Sequence, residues 1–154
     1  MIRVMTRWLD PDEQQTWRAF LAASRALMEN LDRELQRDAG MPHAYYEILV
    51  RLSEVPDRRL RMSELADLTG SSRSRLSHAA ARLETAGWIR RQECPTDRRG
   101  QVAVLTEAGF AALAAAAPGH VEGVRRHLFD ALSPAQVDQL RRISEALVVH
   151  LTGS

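Results

Sequence analysis

The stretch from residue 62 to residue 106 constrains the fold of this chain most, because it holds two short helical patterns separated by a tight turn. The first pattern ends at Thr69-Gly70, and the second begins at Ser71-Ser72, where serine favours a helix N-cap. In the second pattern the apolar residues follow the i, i+3, i+4, i+7 spacing of one buried stripe: Leu76, Ala79, Ala80 and Leu83. Gly87 is placed to end this helix. Two helices joined by a turn that contains glycine predict a helix-turn-helix.

The outward face of the second helix is basic and rich in hydroxyl groups. Short hydroxyl side chains let a helix approach a duplex closely, and arginine reaches guanine edges or phosphates. The simpler alternative is a solvated helix face, but such faces usually mix in acidic residues, and Glu84 is the first one here. We therefore expect nucleic-acid contact from this face. The residues that would make it are Ser72, Arg73, Ser74, Arg75, Ser77, His78 and Arg82.

Two short strand-like runs follow, Trp88–Gln92 and Gln101–Leu105, and they predict a hairpin whose tip spans residues 95–100. The tip carries Arg98 and Arg99, and arginine in a narrow minor groove gains from the negative potential there. Asp97 would repel phosphate, so we expect it to form an ion pair that aims Arg99. The alternative is an exposed loop whose charges serve only solubility. A hairpin of this kind beside a basic helix predicts the wing of a winged helix.

Helical segments flank this region on both sides. Asp10-Pro11 begins a helix that runs to about Asp38, a second helix spans His43–Ser53, and Leu60-Arg61 is placed to add a short strand. A long helix is expected from about Glu107 to Leu132, with a kink at Pro118-Gly119, and a last helix begins at Ser133-Pro134. The fold class is therefore mostly α with a small β-wing.

The flanking helices carry more apolar residues than a winged helix needs to cover, which favours a dimerisation module built from both chain ends. The expected division is residues 1–40 as an N-terminal dimerisation helix, 41–106 as the winged helix-turn-helix, and 107–154 as C-terminal dimerisation helices. Equivalent helices of a DNA-binding dimer lie ~34 Å apart, one duplex turn, and the long helix from Glu107 would set that span.

The charge distribution agrees with this division. The chain of 154 residues has a net charge of +1, but residues 71–101 hold seven arginines against three acidic residues, so the remainder is net negative. Such an asymmetry locates a polyanion-binding face. No apolar run approaches 18 residues and no secretory segment is visible, so a cytoplasmic protein is expected.

The sequence offers little for other chemistry. One cysteine excludes an internal disulfide, and the five histidines lack metal-ligand spacing, although His43, His120 and His127 could converge in the fold. Serine, histidine and aspartate are present without a nucleophile elbow or a glycine-rich phosphate loop. We predict no metal, no cofactor and no enzymatic activity.

At these residues the sequence resembles the MarR family (multiple-antibiotic-resistance type) of bacterial transcription regulators. The matching stretches are Ser72-Arg73-Ser74-Arg75-Leu76-Ser77, Arg82-Leu83-Glu84, Gly87, Asp97-Arg98-Arg99-Gly100 and Leu105-Thr106-Glu107-Ala108-Gly109. The resemblance implies a homodimer that binds a pseudo-palindromic operator in double-stranded DNA, acts as a repressor or dual regulator, and is often released by a small ligand or an oxidant.

The resemblance also implies a place for an effector, between the helical module and the winged helix. A small aromatic or phenolic effector would meet Trp17, His43, Tyr45, Tyr46 and Arg51 there, although core packing explains each of these side chains equally well. Peroxide-sensing relatives carry their reactive cysteine in the first helix, which has none here, so a redox role for Cys94 in the wing is only a secondary hypothesis. The rival function is a winged helix that docks proteins and does not bind DNA.

Overall fold

The computed structural model describes residues 6–94 and 97–153, and of residues 97–99 only the backbone. Six α-helices surround one small antiparallel sheet, which confirms the expected fold class. The helices are α1 (Pro11–Ala39), α2 (His43–Ser53), α3 (Met62–Leu68), α4 (Arg73–Thr85), α5 (Glu107–His127) and α6 (Pro134–Thr152), and the strands are β1 (Arg59–Arg61), β2 (Ile89–Cys94) and β3 (Asp97–Leu105). Short 3-10 turns at Pro56–Arg58 and Phe129–Ala131 complete the order.

Helix starts follow the capping residues that the sequence offers. The Asp10 carboxylate accepts from the backbone N–H of Glu13 at 2.8 Å, and the Glu13 side chain accepts from the backbone N–H of Asp10 at 3.0 Å. Ser133 and Gln136 form the same reciprocal pair before α6. Each pair satisfies two backbone donors that a helix start leaves free. At the other end of α1, Gly40 adopts φ 64°, a left-handed conformation that glycine tolerates without strain.

The core lies in the winged helix. Leu76, Ala80 and Leu83 of α4 are buried, as the stripe in the sequence predicts. They pack in one cluster with leucines from α2 and α3 and with sheet residues, and the largest fully buried members of this cluster are Met41, Leu49, Leu52, Leu65, Leu76, Leu83 and Ile89. Full burial of one such side chain stabilises the fold by about 1.5–3 kcal/mol. The core therefore fixes which face of α4 points outward.

The sheet has the order β1-β3-β2, with antiparallel neighbours. Leu60 of β1 lies opposite Ala103 of β3, and Arg59 lies opposite Val104. The strands of the hairpin are longer than the sequence indicated: β2 continues to Cys94, and β3 already begins at Asp97, in what was expected to be the tip. Charged and polar residues at these strand ends hid the pairing, because backbone hydrogen bonds do not depend on an apolar alternation.

The C-terminal helices differ from the expectation in one boundary. α5 continues through Pro118 as a single helix, as expected, but it ends at His127 and not near Leu132. A 3-10 turn replaces the last predicted turn, and its apolar residues keep enough periodicity to imitate a longer helix. α6 follows, and none of its residues, all of which the structure describes, is buried.

The apolar stripe of α1 divides into two parts. Leu31 and Leu35 are buried where α1 packs against α5, whereas Trp17 and Phe20 leave about half of their surface exposed, at 51% and 52%. The exposed part of the stripe therefore has no cover among the residues that the structure describes. In the described ranges 6–94 and 97–153, the helices are all too short or too polar to span a bilayer.

Candidate nucleic-acid interface

α4 presents the polar face that the sequence predicts. Leu76, Ala80 and Leu83 hold the opposite side of the helix in the core. The predicted contact residues are consequently all exposed on α4 and at its N-cap: Ser72, Arg73, Ser74, Arg75, Ser77, His78 and Arg82. The structure thus brings every predicted contact residue of this helix to the surface.

The N-terminus of α4 is suited to bind an anion. Ser72 caps it, its hydroxyl accepting from the backbone N–H of Arg75 at 3.2 Å, and the first turn contains no acidic residue. The free N–H groups and the helix dipole place partial positive charge at this end. A phosphate oxygen is a fitting partner for such an end.

The arginines of this face keep their charge available. Within the described part of the chain, Arg73, Arg75 and Arg82 have no acidic group within 4.0 Å, although ion pairs occur on several other arginines. Arg91 of β2 differs, since it binds Glu84 at 2.8 Å. Guanidinium groups without such a partner, beside short hydroxyl groups on one exposed helix face, are suited to contact a polyanion.

The tip of the wing lies partly outside the described residues. The backbone places Asp97 opposite Cys94 at the far end of the hairpin, with an irregularity in the ladder between Glu93 and Cys94. The side chains of Asp97, Arg98 and Arg99 fall outside the described part, so the expected ion pair between Asp97 and Arg99 remains a prediction.

The base of the wing is tied to α5 by backbone contacts. The N–H of Thr106 donates to the carbonyl of Trp88 at 3.0 Å, and the Thr106 hydroxyl donates to the carbonyl of Gly87 at 2.6 Å. The same hydroxyl accepts from the N–H of Gly109 at 3.0 Å. A Cβ atom added to Gly109 would lie 2.0 Å from the Trp88 carbonyl oxygen, so only glycine permits this approach. The wing base and the first turn of α5 therefore form one continuous backbone contact.

Two of the predicted effector residues come together at the junction of α1, α2 and α5. The ring of His120 lies 4.4 Å from the Tyr46 ring and 5.4 Å from the His43 ring. Burial, with a smaller contribution from the charge of His43, lowers the pKa of His120. Its buried Nδ1 has no hydrogen-bond partner in the described part of the chain. Burial also raises the pKa of the Tyr46 hydroxyl. A cavity of about 60 Å³ adjoins His120.

The other three predicted effector residues lie away from this junction or already contact other side chains. Trp17 is far along α1 and stacks against Phe20 with ring centroids 6.3 Å apart. Tyr45 packs against the main core. Arg51 lies 3.7 Å from Glu54, and its buried Nε has no hydrogen-bond partner.

Glu34 is a residue of this junction that the sequence analysis missed. It accepts from Arg126 at 2.7 Å and lies 2.8 Å from His127, so it links α1 to the end of α5. The hydrogen bond with His127 is the main cause that lowers the pKa of Glu34. A signal was present, because Glu34 lies three residues after Leu31 and so interrupts the apolar face of α1 with a charge.

The three histidines that could have converged do so only in part. His43 and His120 are neighbours, whereas His127 turns toward Glu34. Within residues 6–94 and 97–153, the His, Cys, Asp and Glu side chains form no group of three suited to hold a metal ion. Cys94 is buried at the end of β2.

Comparison with known proteins adds independent evidence. A family model described as MarR family matches residues 39–100. Transcriptional repressor MprA of Escherichia coli K12 is 33% identical over 125 residues, which cover 81% of this chain and 70% of MprA.

Solved structures match almost the whole chain. Sco3205, a MarR family transcriptional regulator from Streptomyces coelicolor solved in complex with DNA, is 52% identical with a TM-score of 0.91, over 97% of this chain and 93% of that one. AbsC, another MarR family transcriptional regulator from the same organism, is 45% identical with a TM-score of 0.88, over 97% and 100%. The family match falls on the helix-turn-helix and the wing, and the likeness of the solved structures extends through the flanking helices, so this chain belongs to the MarR family.

Proposed function

We propose that this chain is a cytoplasmic transcriptional regulator that binds double-stranded DNA sequence-specifically, as a homodimer on a pseudo-palindromic operator, and represses transcription. The observation that carries this proposal is the exposed face of α4, where Arg73, Arg75 and Arg82 have no acidic partner among the described residues. Sco3205, the 52% identical relative, was solved with DNA, and MprA is a transcriptional repressor. Both relatives support DNA over the alternative of a protein-docking winged helix.

In this proposal each subunit inserts α4 into a major groove. Ser74, Arg75, Ser77 and His78 read base edges, since they are exposed on the helix turns that follow the N-cap. The phosphates are held by Arg82 and by the N-terminus of α4, where Ser72 and Arg73 lie.

The wing would enter the adjoining minor groove. The length of the β2–β3 hairpin supports this role for Arg98 and Arg99. Arg99 would gain most from the negative potential of a narrow groove, with Asp97 orienting its guanidinium group. A contact of this kind strengthens binding across many sequences because it reads shape more than base identity.

The dimer would form through both chain ends, residues 1–40 and 107–154, around the winged helix of residues 41–106. α6 buries no residue against its own chain, yet it exposes Leu140, Ile143, Leu147, Val148, Val149 and Leu151. α1 adds Trp17, Phe20 and Met28. Monomeric proteins rarely expose apolar surface on this scale, so a second copy of the chain is the fitting cover.

An effector would act at the junction of α1, α2 and α5. His43, Tyr46 and His120 supply aromatic contacts there, with Tyr45 and Arg51 on the same helix α2. Ligand pockets usually measure about 300–1,000 Å³. The cavity of about 60 Å³ is smaller, so a phenolic effector would have to widen this junction or use surface from a second subunit, for which Trp17 is exposed.

The test uses the purified dimer and the intergenic DNA beside its own coding region. We expect Arg75→Ala to cost ~1–3 kcal/mol at one base position of the operator. Arg99→Ala should weaken binding to many sequences by a similar factor. Arg37→Ala is the matched control, since Arg37 is exposed at the end of α1 and paired with Asp38. Titrations in which all three variants bind as the wild type does would refute the assignment of this face.

Salt dependence separates DNA binding from protein docking. Contact with 6–10 phosphates lowers affinity by roughly 10³–10⁵ between 50 and 200 mM salt. A hydrophobic docking interface is nearly insensitive to salt in this range. A flat salt response would therefore favour the docking alternative.

A further inference from the structure

Glu84 makes an unusually complete contact with the wing. It lies in the last turn of α4, and Arg91 lies in β2. One carboxylate oxygen, Oε1, accepts from the backbone N–H of Arg91 at 3.0 Å. The other, Oε2, accepts from Nε and Nη2 of the same arginine at 3.0 and 2.8 Å. Three hydrogen bonds thus join one side chain of the recognition helix to one residue of the wing.

The contact is sheltered and geometrically defined. The side chains of Glu84 and Arg91 are 38% and 25% exposed, and Arg73, Arg75 and Arg82 on the outer face of α4 are all exposed. Charge-assisted bonds to a planar guanidinium group fix direction as well as distance. The hydrogen bond from the Arg91 backbone is the main cause that lowers the pKa of Glu84, so the carboxylate stays charged at neutral pH.

The contact also satisfies one backbone donor on the free edge of the sheet. β2 is an edge strand, because the order is β1-β3-β2. Edge strands leave backbone N–H groups unpaired on their outer side. The N–H of Arg91 is satisfied by Glu84, so this edge is joined to α4 beyond the short turn at Ala86-Gly87.

We infer that Glu84 is a positioning residue for DNA binding, which acts through Arg91 to fix the wing relative to the recognition helix. The inference rests on the proposed function, since it assumes that α4 and the wing engage one duplex together. Glu84 itself touches no DNA in this account. Because the contact already fixes the wing relative to α4, binding does not carry the entropic cost of ordering two separately mobile elements.

The sign of the effect distinguishes this role from simple charge. Removing a carboxylate beside a DNA-binding face should strengthen binding if only long-range electrostatics matter. If Glu84 positions the wing, its removal should weaken binding. Glu84→Gln keeps the size of the side chain but loses the charged fork with the guanidinium group.

The experiment compares Glu84→Gln with Glu93→Gln in operator titrations. Glu93 is the matched control because it is exposed on β2, the strand that carries Arg91, and its replacement by glutamine removes the same charge. We expect Glu84→Gln to weaken binding about 2- to 30-fold, the range for residues that couple elements without touching ligand. Glu93→Gln should bind as the wild type does or more tightly. Stronger binding by both variants would overturn the inference.

A double-mutant cycle tests whether Glu84 acts through the wing. In an Arg99→Ala background the wing contribution is already lost, so adding Glu84→Gln should cost little further affinity. Fully additive losses would mean that Glu84 affects the fold or α4 alone, and the positioning role would be wrong.

Amide exchange of the DNA-free protein separates this inference from the proposed function. In ¹⁵N-resolved exchange the Arg91 amide should be protected in the wild type and in Glu93→Ala, and should exchange faster in Glu84→Ala, which removes the acceptor oxygen. This measurement does not require DNA. A wild type that binds no operator would refute the proposed function, and the contact between Glu84 and Arg91 would still be tested by exchange. Equal exchange in all three proteins would overturn the contact in solution.

Discussion

At the scale of single residues, His120 shows how burial controls a charge. Its ring lies beside those of His43 and Tyr46, and its Nδ1 has no hydrogen-bond partner among the described residues. Burial lowers the pKa of His120 below its usual 6.5, with the charge of His43 acting in the same direction and Glu34 opposing it. Asp38 also lines the adjoining cavity, but it is paired with Arg37. The folded state thus favours the neutral ring.

The depressed pKa makes stability depend on pH with a definite sign. Below pH 6.5 the unfolded chain binds a proton at His120 that the folded chain still excludes, so stability is present above pH 6.5 and declines as the pH falls through the folded pKa. We expect the melting temperature of His120→Phe to fall less between pH 7 and pH 5 than that of the wild type. His78→Phe, at an exposed histidine, should keep the wild-type slope. Equal slopes for all three in differential scanning fluorimetry would contradict this explanation.

At the scale of elements, the contact between the wing base and α5 predicts that alanine lowers the stability at one glycine of α5 and raises it at another. A Cβ atom on Gly109 would lie 2.0 Å from the Trp88 carbonyl oxygen, so backbone must move in Gly109→Ala. We expect a loss of about 1–3 kcal/mol of unfolding free energy, as for overpacking. A Cβ atom on Gly119 of the same helix meets nothing within 4 Å, so Gly119→Ala should gain about 0.5–1 kcal/mol from helix propensity.

Denaturant titration of the two alanine variants measures both changes. Shifts of opposite sign would support the close backbone approach at Gly109. A Gly109→Ala protein as stable as Gly119→Ala would show that the contact accepts a side chain.

Element positions could be predicted from local signals, and their partners could not. The starts of α1, α4 and α6 followed from Asp10, Ser72 and Ser133, because a cap is a property of a few adjacent residues. The end of α5 was misplaced because the basic last turn, Arg125-Arg126-His127, was weaker evidence than a stripe that continued past it.

Part of the candidate site could likewise be predicted from local signals, and part of it could not. The exposed face of α4 was predictable, since helical periodicity alone assigns its inward and outward sides. The contacts of Glu34 with α5 and of Glu84 with β2 join distant or separately folded segments. No spacing in the sequence encodes which charges meet, because only the assembled core brings them together.

At the scale of the whole molecule, the exposed apolar surface of α1 and α6 predicts a dimer that is required for DNA binding. Ile143 is 59% exposed on the apolar side of α6, and Ile143→Glu would bury a charge in the proposed interface. We expect the dimer dissociation constant to rise by roughly 30-fold or more, as for a residue at an interface centre. Operator affinity should fall with it, because one half-site is lost.

The adjacent Arg142→Glu is the control for the dimer. Arg142 pairs with Asp138 on the charged side of α6, so its replacement should leave the assembly intact. Sedimentation velocity at a series of concentrations measures both variants. Wild-type sedimentation of Ile143→Glu would exclude α6 from the interface.

The closeness of Gly109 to Trp88 also bears on how such a regulator could be switched. The Gly109 backbone approaches the Trp88 carbonyl too closely to admit a Cβ atom, and the Thr106 hydroxyl bonds both the Gly87 carbonyl and the Gly109 N–H. α5 has 21 residues and is therefore roughly 30 Å long. Because its contact with the wing base is so close, a small rotation of α5 would move the wing directly. In the proposed dimer, a tilt of α5 at its far end, near Glu34 and His127, would change the spacing of the two wings on the DNA duplex.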